Sequence, residues 1–259
     1  MSFHSEAQSL AGGLLEDHLK HGARFGPPPL RLLSEKGSRL VFITDPSGLA
    51  VERYRMLRRR LLALCPTGGT ILITSPGPGD GKSLTAVNLA WCLAESGHRT
   101  CLVDLDFRAP GVCKTLGCES LTYGTTEVLT GQCTATQAVR QIENCELHVL
   151  GIRDPIASPS RQLAPGVMRP MLKELRDRFD WVILDMAPTI PMCDVAEVLA
   201  HVDGAVMVVR STKTTKSLIA PTLEVLGTKL LGVILNDSVI HGSAYYGHYG
   251  YGASHNRKP

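Results

Sequence analysis

The sequence predicts an α/β fold with a mostly parallel central sheet and helices on both of its faces. Three observations carry that expectation. Near-continuous apolar runs at residues 70–74, 100–103, 181–184, 205–209 and 231–235 alternate with stretches of helical periodicity, and strands without an in/out alternation are those covered on both faces. The first run passes straight into Ser75-Pro76-Gly77-Pro78-Gly79-Asp80-Gly81-Lys82-Ser83-Leu84, a glycine- and proline-rich turn that opens a helix. Asp104, Asp106 and Asp185 fall at the C-terminal ends of apolar runs, where an open parallel sheet keeps its ligand crevice.

The turn specifies chemistry as well as topology. Glycines let backbone N–H groups converge on phosphate oxygens, and the following helix turns its unpaired donors and positive dipole end toward the same anion. In a G-x-x-x-x-G-K-[ST] loop the lysine reaches the β- and γ-phosphates and the hydroxyl ligates Mg²⁺. Those roles fall to Lys82 and Ser83, with Gly77, Pro78, Gly79, Asp80, Gly81 and Leu84 completing the cradle. The expectation is a P-loop NTPase. Pro76 departs from the pattern, standing where its first glycine belongs.

Composition narrows the rest. The 259 residues suffice for one α/β domain or two small ones, and 44% apolar with 20% charged residues is ordinary for a globular protein. A formal charge of +3, with no basic stripe interleaved with aromatics, argues against a nucleic-acid partner. No apolar run approaches the roughly 20 residues of a membrane helix, and the N-terminus has no signal-peptide pattern, so a cytoplasmic protein is expected. The eight cysteines contain no C-x-x-C pair and read as reduced core thiols. His241, His248 and His255 match no ligand spacing.

Taken in order, residues 1–44 form a leader rich in Gly, Pro and His, expected to be partly ordered, which includes Gly26-Pro27-Pro28-Pro29. Leu49, Val51, Tyr54, Leu57, Leu61 and Leu64 then recur at helical spacing. Glu52, Arg55 and Arg58, three apart, make a charged ridge that pairs within the helix or across to another subunit, or is simply a solvated face. Residues 84–95 read as a helix closed by Ser96-Gly97. Residues 126–131 and 136–142 read as short helices, 147–150 as a strand, and 171–179 as a helix preceded by Pro155, Pro159, Pro165 and Pro170. Residues 215–226 read as the last helix. Two carboxylates and Arg108 beside a phosphate loop call for a cation or phosphate partner, against the plainer reading of a surface acidic turn. Arg210, Lys213 and Asn236 follow strand ends, Asn236 being a candidate adenine contact. In the tail, residues 241–259, Tyr245, Tyr246, Tyr249 and Tyr251 lie among glycines without a burying periodicity. A sticky low-complexity tail is the alternative to a functional one.

Together these residues resemble the bacterial tyrosine kinases of exopolysaccharide and capsule biosynthesis, relatives of the partition and division-site P-loop ATPases. Leu102-Val103-Asp104-Leu105-Asp106-Phe107-Arg108 is similar to the family's apolar-D-x-D-x-R motif, Val182-Ile183-Leu184-Asp185 to its Walker B strand, and the tail to its tyrosine cluster. Glu52, Arg55 and Arg58 match its E-x-x-R-x-x-R helix. Thr189 departs where a second proline usually follows Walker B, and Gly77 stands in place of the partition ATPases' extra loop lysine.

The resemblance implies a kinase domain over residues 45–240 with a flexible phosphoacceptor tail, ATP and Mg²⁺ as cofactors, and Lys82, Asp104, Asp106 and Asp185 as catalytic residues. Ser83 and the three aspartates arrange the metal, partly through water, and Arg108 and Asn236 join the nucleotide site. The same resemblance implies transfer in trans to tyrosines 245, 246, 249 and 251 within a homo-oligomeric ring built by Glu52, Arg55 and Arg58. It also implies recruitment to the inner face of the membrane by a separate membrane-embedded activator, and a phosphotyrosine phosphatase as counterpart. An ATPase or nucleotide-switched scaffold without kinase activity is the competing reading.

Overall fold

The computed structural model describes residues 27–32, 38–118, 121–156, 159–191 and 194–238. The four tail tyrosines therefore lie outside the described residues. Seven strands form one sheet in the order β3-β4-β2-β5-β1-β6-β7. They are β1 Gly69–Thr74, β2 Thr100–Asp104, β3 Arg140–Gln141, β4 Leu147–Leu150, β5 Trp181–Asp185, β6 Gly204–Arg210 and β7 Leu230–Asn236. Every pairing is parallel except β3 with β4.

The helices are α1 Val41–Thr44, α2 Leu49–Leu64, α3 Lys82–Glu95, α4 Val112–Leu116, α5 Thr125–Leu129, α6 Ala135–Ala138, α7 Pro165–Arg176, α8 Asp194–Leu199 and α9 Ile219–Leu226. Alternate residues of each strand feed two cores. Ile71, Ile73, Leu102 and Ile183 pack with Leu61 of α2 and Leu89 and Leu93 of α3. Leu72, Val103, Val182 and Leu184 pack with Leu172 and Leu175 of α7 and Val195 and Val198 of α8. Both faces of the central strands are thus apolar, which produced the unbroken runs in the sequence. The pairing Asp104↔Asp185 and Ile73↔Asp185 brings the carboxylates to the sheet edge where β1 runs into the loop.

Three expectations are corrected. Residues 136–142 are not a helix: α6 ends at Ala138, and Arg140–Gln141 turns into an edge strand against Val149 and His148. The helix expected over 171–179 begins at Pro165, which sits in the first turn, and carries Pro170 inside it. Proline at the start forfeits an N–H already without a partner; Pro170 does cost one bond, offset by the buried face of Met168, Met171, Leu172 and Leu175. The helix expected over 215–226 opens as a 3₁₀ turn, Lys216–Leu218, before α9. Of the leader, residues 27–32 and 38–44 are described, and Leu30 and Leu40 among them are fully buried. Leu30 exchanges backbone bonds with Gln141 and Glu143, and Asn88 of α3 accepts the Val41 N–H at 2.8 Å.

Among the described residues the cysteines are free thiols, Cys92 and Cys101 buried and the others half-buried.

Candidate nucleotide and phosphoryl-transfer site

The loop between β1 and α3 is shaped by its own aspartate. Asp80 is 1% exposed; its Oδ2 accepts the Gly77 N–H at 3.1 Å and its Oδ1 the Thr214 hydroxyl at 2.7 Å. The Asn236 amide donates to the Asp80 carbonyl at 2.9 Å, and a Cβ at Gly81 would stand 2.1 Å from that amide nitrogen. With φ of +99° as well, position 81 accepts only glycine.

Across the loop the electrostatics are unresolved. Lys82 and Asp106 form an ion pair at 2.7 Å, side chains 10% and 3% exposed, and Asp185 lies 3.8 Å from the same ammonium. Lys82 Nζ also donates to Ser83 Oγ at 3.3 Å. Burial works to lower the Lys82 pKa, but Asp185 and Asp106 outweigh it and the ammonium is held charged. Asp104 accepts three backbone N–H groups, from Asp106 at 3.1 Å, Gly111 at 3.0 Å and Val112 at 3.0 Å. Burial and the neighbouring Asp185 nonetheless push its carboxyl up. Asp185 is fully buried with neither oxygen hydrogen-bonded; Ser83 stands beside it, near enough to ease its charge but short of bonding geometry. Burial raises the Asp185 pKa against the pull of Lys82 and that hydroxyl. A buried carboxylate that accepts no hydrogen bond and has an ammonium no nearer than 3.8 Å is only partly compensated, and a bound cation would complete it. Hard oxygen donors beside a phosphate loop suit Mg²⁺ completed by phosphate oxygens and water, and among the described residues no ready-made cage of three or more acidic, His or Cys ligands competes with that arrangement.

The residues at the periphery have partners within the fold. Arg108 forms an ion pair with Asp194, which is 2% exposed at the start of α8, rather than lying free for nucleotide. Asn236 donates its amide to the loop backbone at Asp80. Arg55 bonds Glu52 at 2.7 Å and Glu95 at 3.1 Å, and Arg58 bonds the Cys92 carbonyl at 3.0 Å. Here the ridge ties α2 to α3. The sequence reading missed Thr214 and Asp194 as partners; an acidic residue opening α8 was the one visible signal for the latter.

Residues 69–218 match the AAA domain family. The chain is 34% identical over 231 residues to the tyrosine-protein kinase YwqD of Bacillus subtilis, across 85% of this chain and 97% of that protein. It is 30% identical over 211 residues to the tyrosine-protein kinase ptk of Acinetobacter johnsonii, across 80% of this chain but 29% of that longer protein. The solved kinase domain of Escherichia coli tyrosine kinase ETK superposes with a TM-score of 0.71 at 26% identity, covering 83% of this chain and 85% of that one. On the strength of a full-length kinase relative, a matching kinase-domain fold and the AAA-domain core, the chain belongs to the bacterial tyrosine kinase family.

Proposed function

We propose that the protein is an ATP-dependent protein-tyrosine autokinase that phosphorylates Tyr245, Tyr246, Tyr249 and Tyr251 of a neighbouring copy and regulates polymerisation and export of an exopolysaccharide or capsule. The observation that carries this reading is Asp185, fully buried with neither oxygen hydrogen-bonded and 3.8 Å from the Lys82 ammonium, in a chain that gathers four of its six tyrosines in a glycine-rich tail.

Phosphoryl transfer needs positioning and charge neutralisation more than covalent chemistry. The loop amides and the α3 N-terminus hold the β- and γ-phosphates, and Lys82 exchanges Asp106 for them. Ser83, Asp185, Asp104 and Asp106 would hold Mg²⁺, which would supply charge neutralisation on the transferred group. A phenol of pKa about 10 needs a base. Asp104 is committed to three backbone N–H groups, so the role falls to Asp106, whose Oδ2 is released when Lys82 turns to phosphate and takes the phenol proton.

Each phosphate adds about −1.5 to −2 charge, which favours disassembly of a ring of copies. A membrane-embedded polysaccharide co-polymerase as activator and a phosphatase as counterpart complete the reading. The test is mass-spectrometric mapping after incubation with Mg·ATP. Label on the four tail tyrosines is expected; released phosphate with unlabelled tyrosines would overturn the assignment.

A further inference from the structure

A second lysine approaches the phosphate loop from another element. Lys213 lies in the turn after β6, and its ammonium rests against the loop: a Cβ on Gly79 would stand 2.6 Å from Lys213 Nζ. The turn is held there by a set of bonds. Arg210 O accepts the N–H groups of Lys213 at 3.1 Å and Thr214 at 3.0 Å. Thr214 Oγ1 accepts the Arg210 N–H at 2.7 Å and donates to Asp80 at 2.7 Å, while Arg210 Nη1 donates to Gly79 O at 3.4 Å. The turn is therefore keyed to the loop at Gly79 and Asp80, and Lys213 is carried over Gly79. Gly79, with φ of +80° and no side chain, leaves that approach open.

The charges around Lys213 do not account for its position. Arg210, in the same turn, is paired with Asp237 at 2.9 Å; Lys213 is exposed and pairs with no carboxylate among the described residues. A triphosphate tail carries about four negative charges, of which Lys82 and one divalent cation offset about three. An ammonium already over the loop backbone is suited to the remainder, and a lysine acts there as a point charge without the fixed fork of arginine.

We propose that Lys213 is a second polyphosphate-binding cation, engaging the nucleotide's phosphate tail from the β6 turn while Lys82 engages it from α3. This rests on the loop being a nucleotide site. The test is competition binding of ATP, ADP and adenosine, with Mg²⁺, in the full chain and its Lys213→Met, Lys213→Arg and Lys82→Met variants. Lys213→Met is expected to weaken ATP about tenfold, ADP less, and adenosine under about twofold, with a shallower salt dependence. Lys213→Arg, which keeps the charge, is expected to stay within about threefold of the parent. Equal losses for all three ligands, or none, would overturn the inference. Unchanged ATP binding in Lys213→Met beside its loss in Lys82→Met removes Lys213 alone, whereas a parent chain that binds no ATP removes the nucleotide site with it.

Discussion

Two buried aspartates flank the same loop, and they are opposites. Asp80 is 1% exposed with both carboxylate oxygens and its carbonyl bonded within the fold. Asp185 is fully buried with neither oxygen hydrogen-bonded. The first is closed by the protein and serves architecture. The second is left open at a cost, and such a cost persists where a ligand removes it. The difference separates residues that build the loop from residues that use it, although both kinds are buried, acidic and a few positions from a strand end.

Variants sharpen that contrast. Lys82→Met should have the largest effect, lowering phosphotransfer by about 100-fold or more, since it removes the ammonium that pairs with Asp106 and that the proposed mechanism turns to the phosphates; a radiolabel transfer assay reads it. Asp80→Ala should cost about 1–3 kcal/mol of stability by leaving the Gly77 N–H and Thr214 hydroxyl unpaired, measured by denaturant unfolding. Asp185→Asn should do the reverse in metal-free protein. Because the folded Asp185 pKa is raised by burial, the native state binds more protons than the unfolded chain above about pH 4, and its contribution to stability falls as pH rises through the folded value. The variant should therefore melt higher than the parent at pH 8, with the gap closing toward pH 4. Replacing Glu52, Arg55 and Arg58 with alanine should cost little in monomer stability, about 1 kcal/mol per exposed pair at most. If the ridge also joins copies, sedimentation will shift to smaller species; an unchanged profile leaves it as the α2–α3 tie.

Much of this was legible in the sequence because a parallel sheet covered on both faces writes its strands as unbroken apolar runs. Lys82, Asp104, Asp106 and Asp185 were legible for a related reason: strand ends converge in such a sheet, so residues about 80 apart, such as Asp104 and Asp185, become register neighbours. Other features had no local signature. Arg140–Gln141 is a strand only because β4 offers it an edge. Pro170 hid a helix whose stability comes from its buried face. Leu30 is one apolar residue in a proline-rich segment, and nothing nearby announces that it is fully buried. The Arg108 and Asp194 pair joins positions 86 apart, and a carboxylate within a turn gives no sign of which donors will close on it, so the bonds of Asp80 to Gly77 and Thr214 had no local signature.

The most direct measurement is a magnesium titration at fixed ATP, followed by thermal unfolding, on the parent chain and Asp185→Asn. Mg²⁺ is expected to raise the parent's melting temperature well beyond ATP alone, whereas Asp185→Asn, already more stable without metal, is expected to gain no such increment. A magnesium increment of the same size in Asp185→Asn would contradict it.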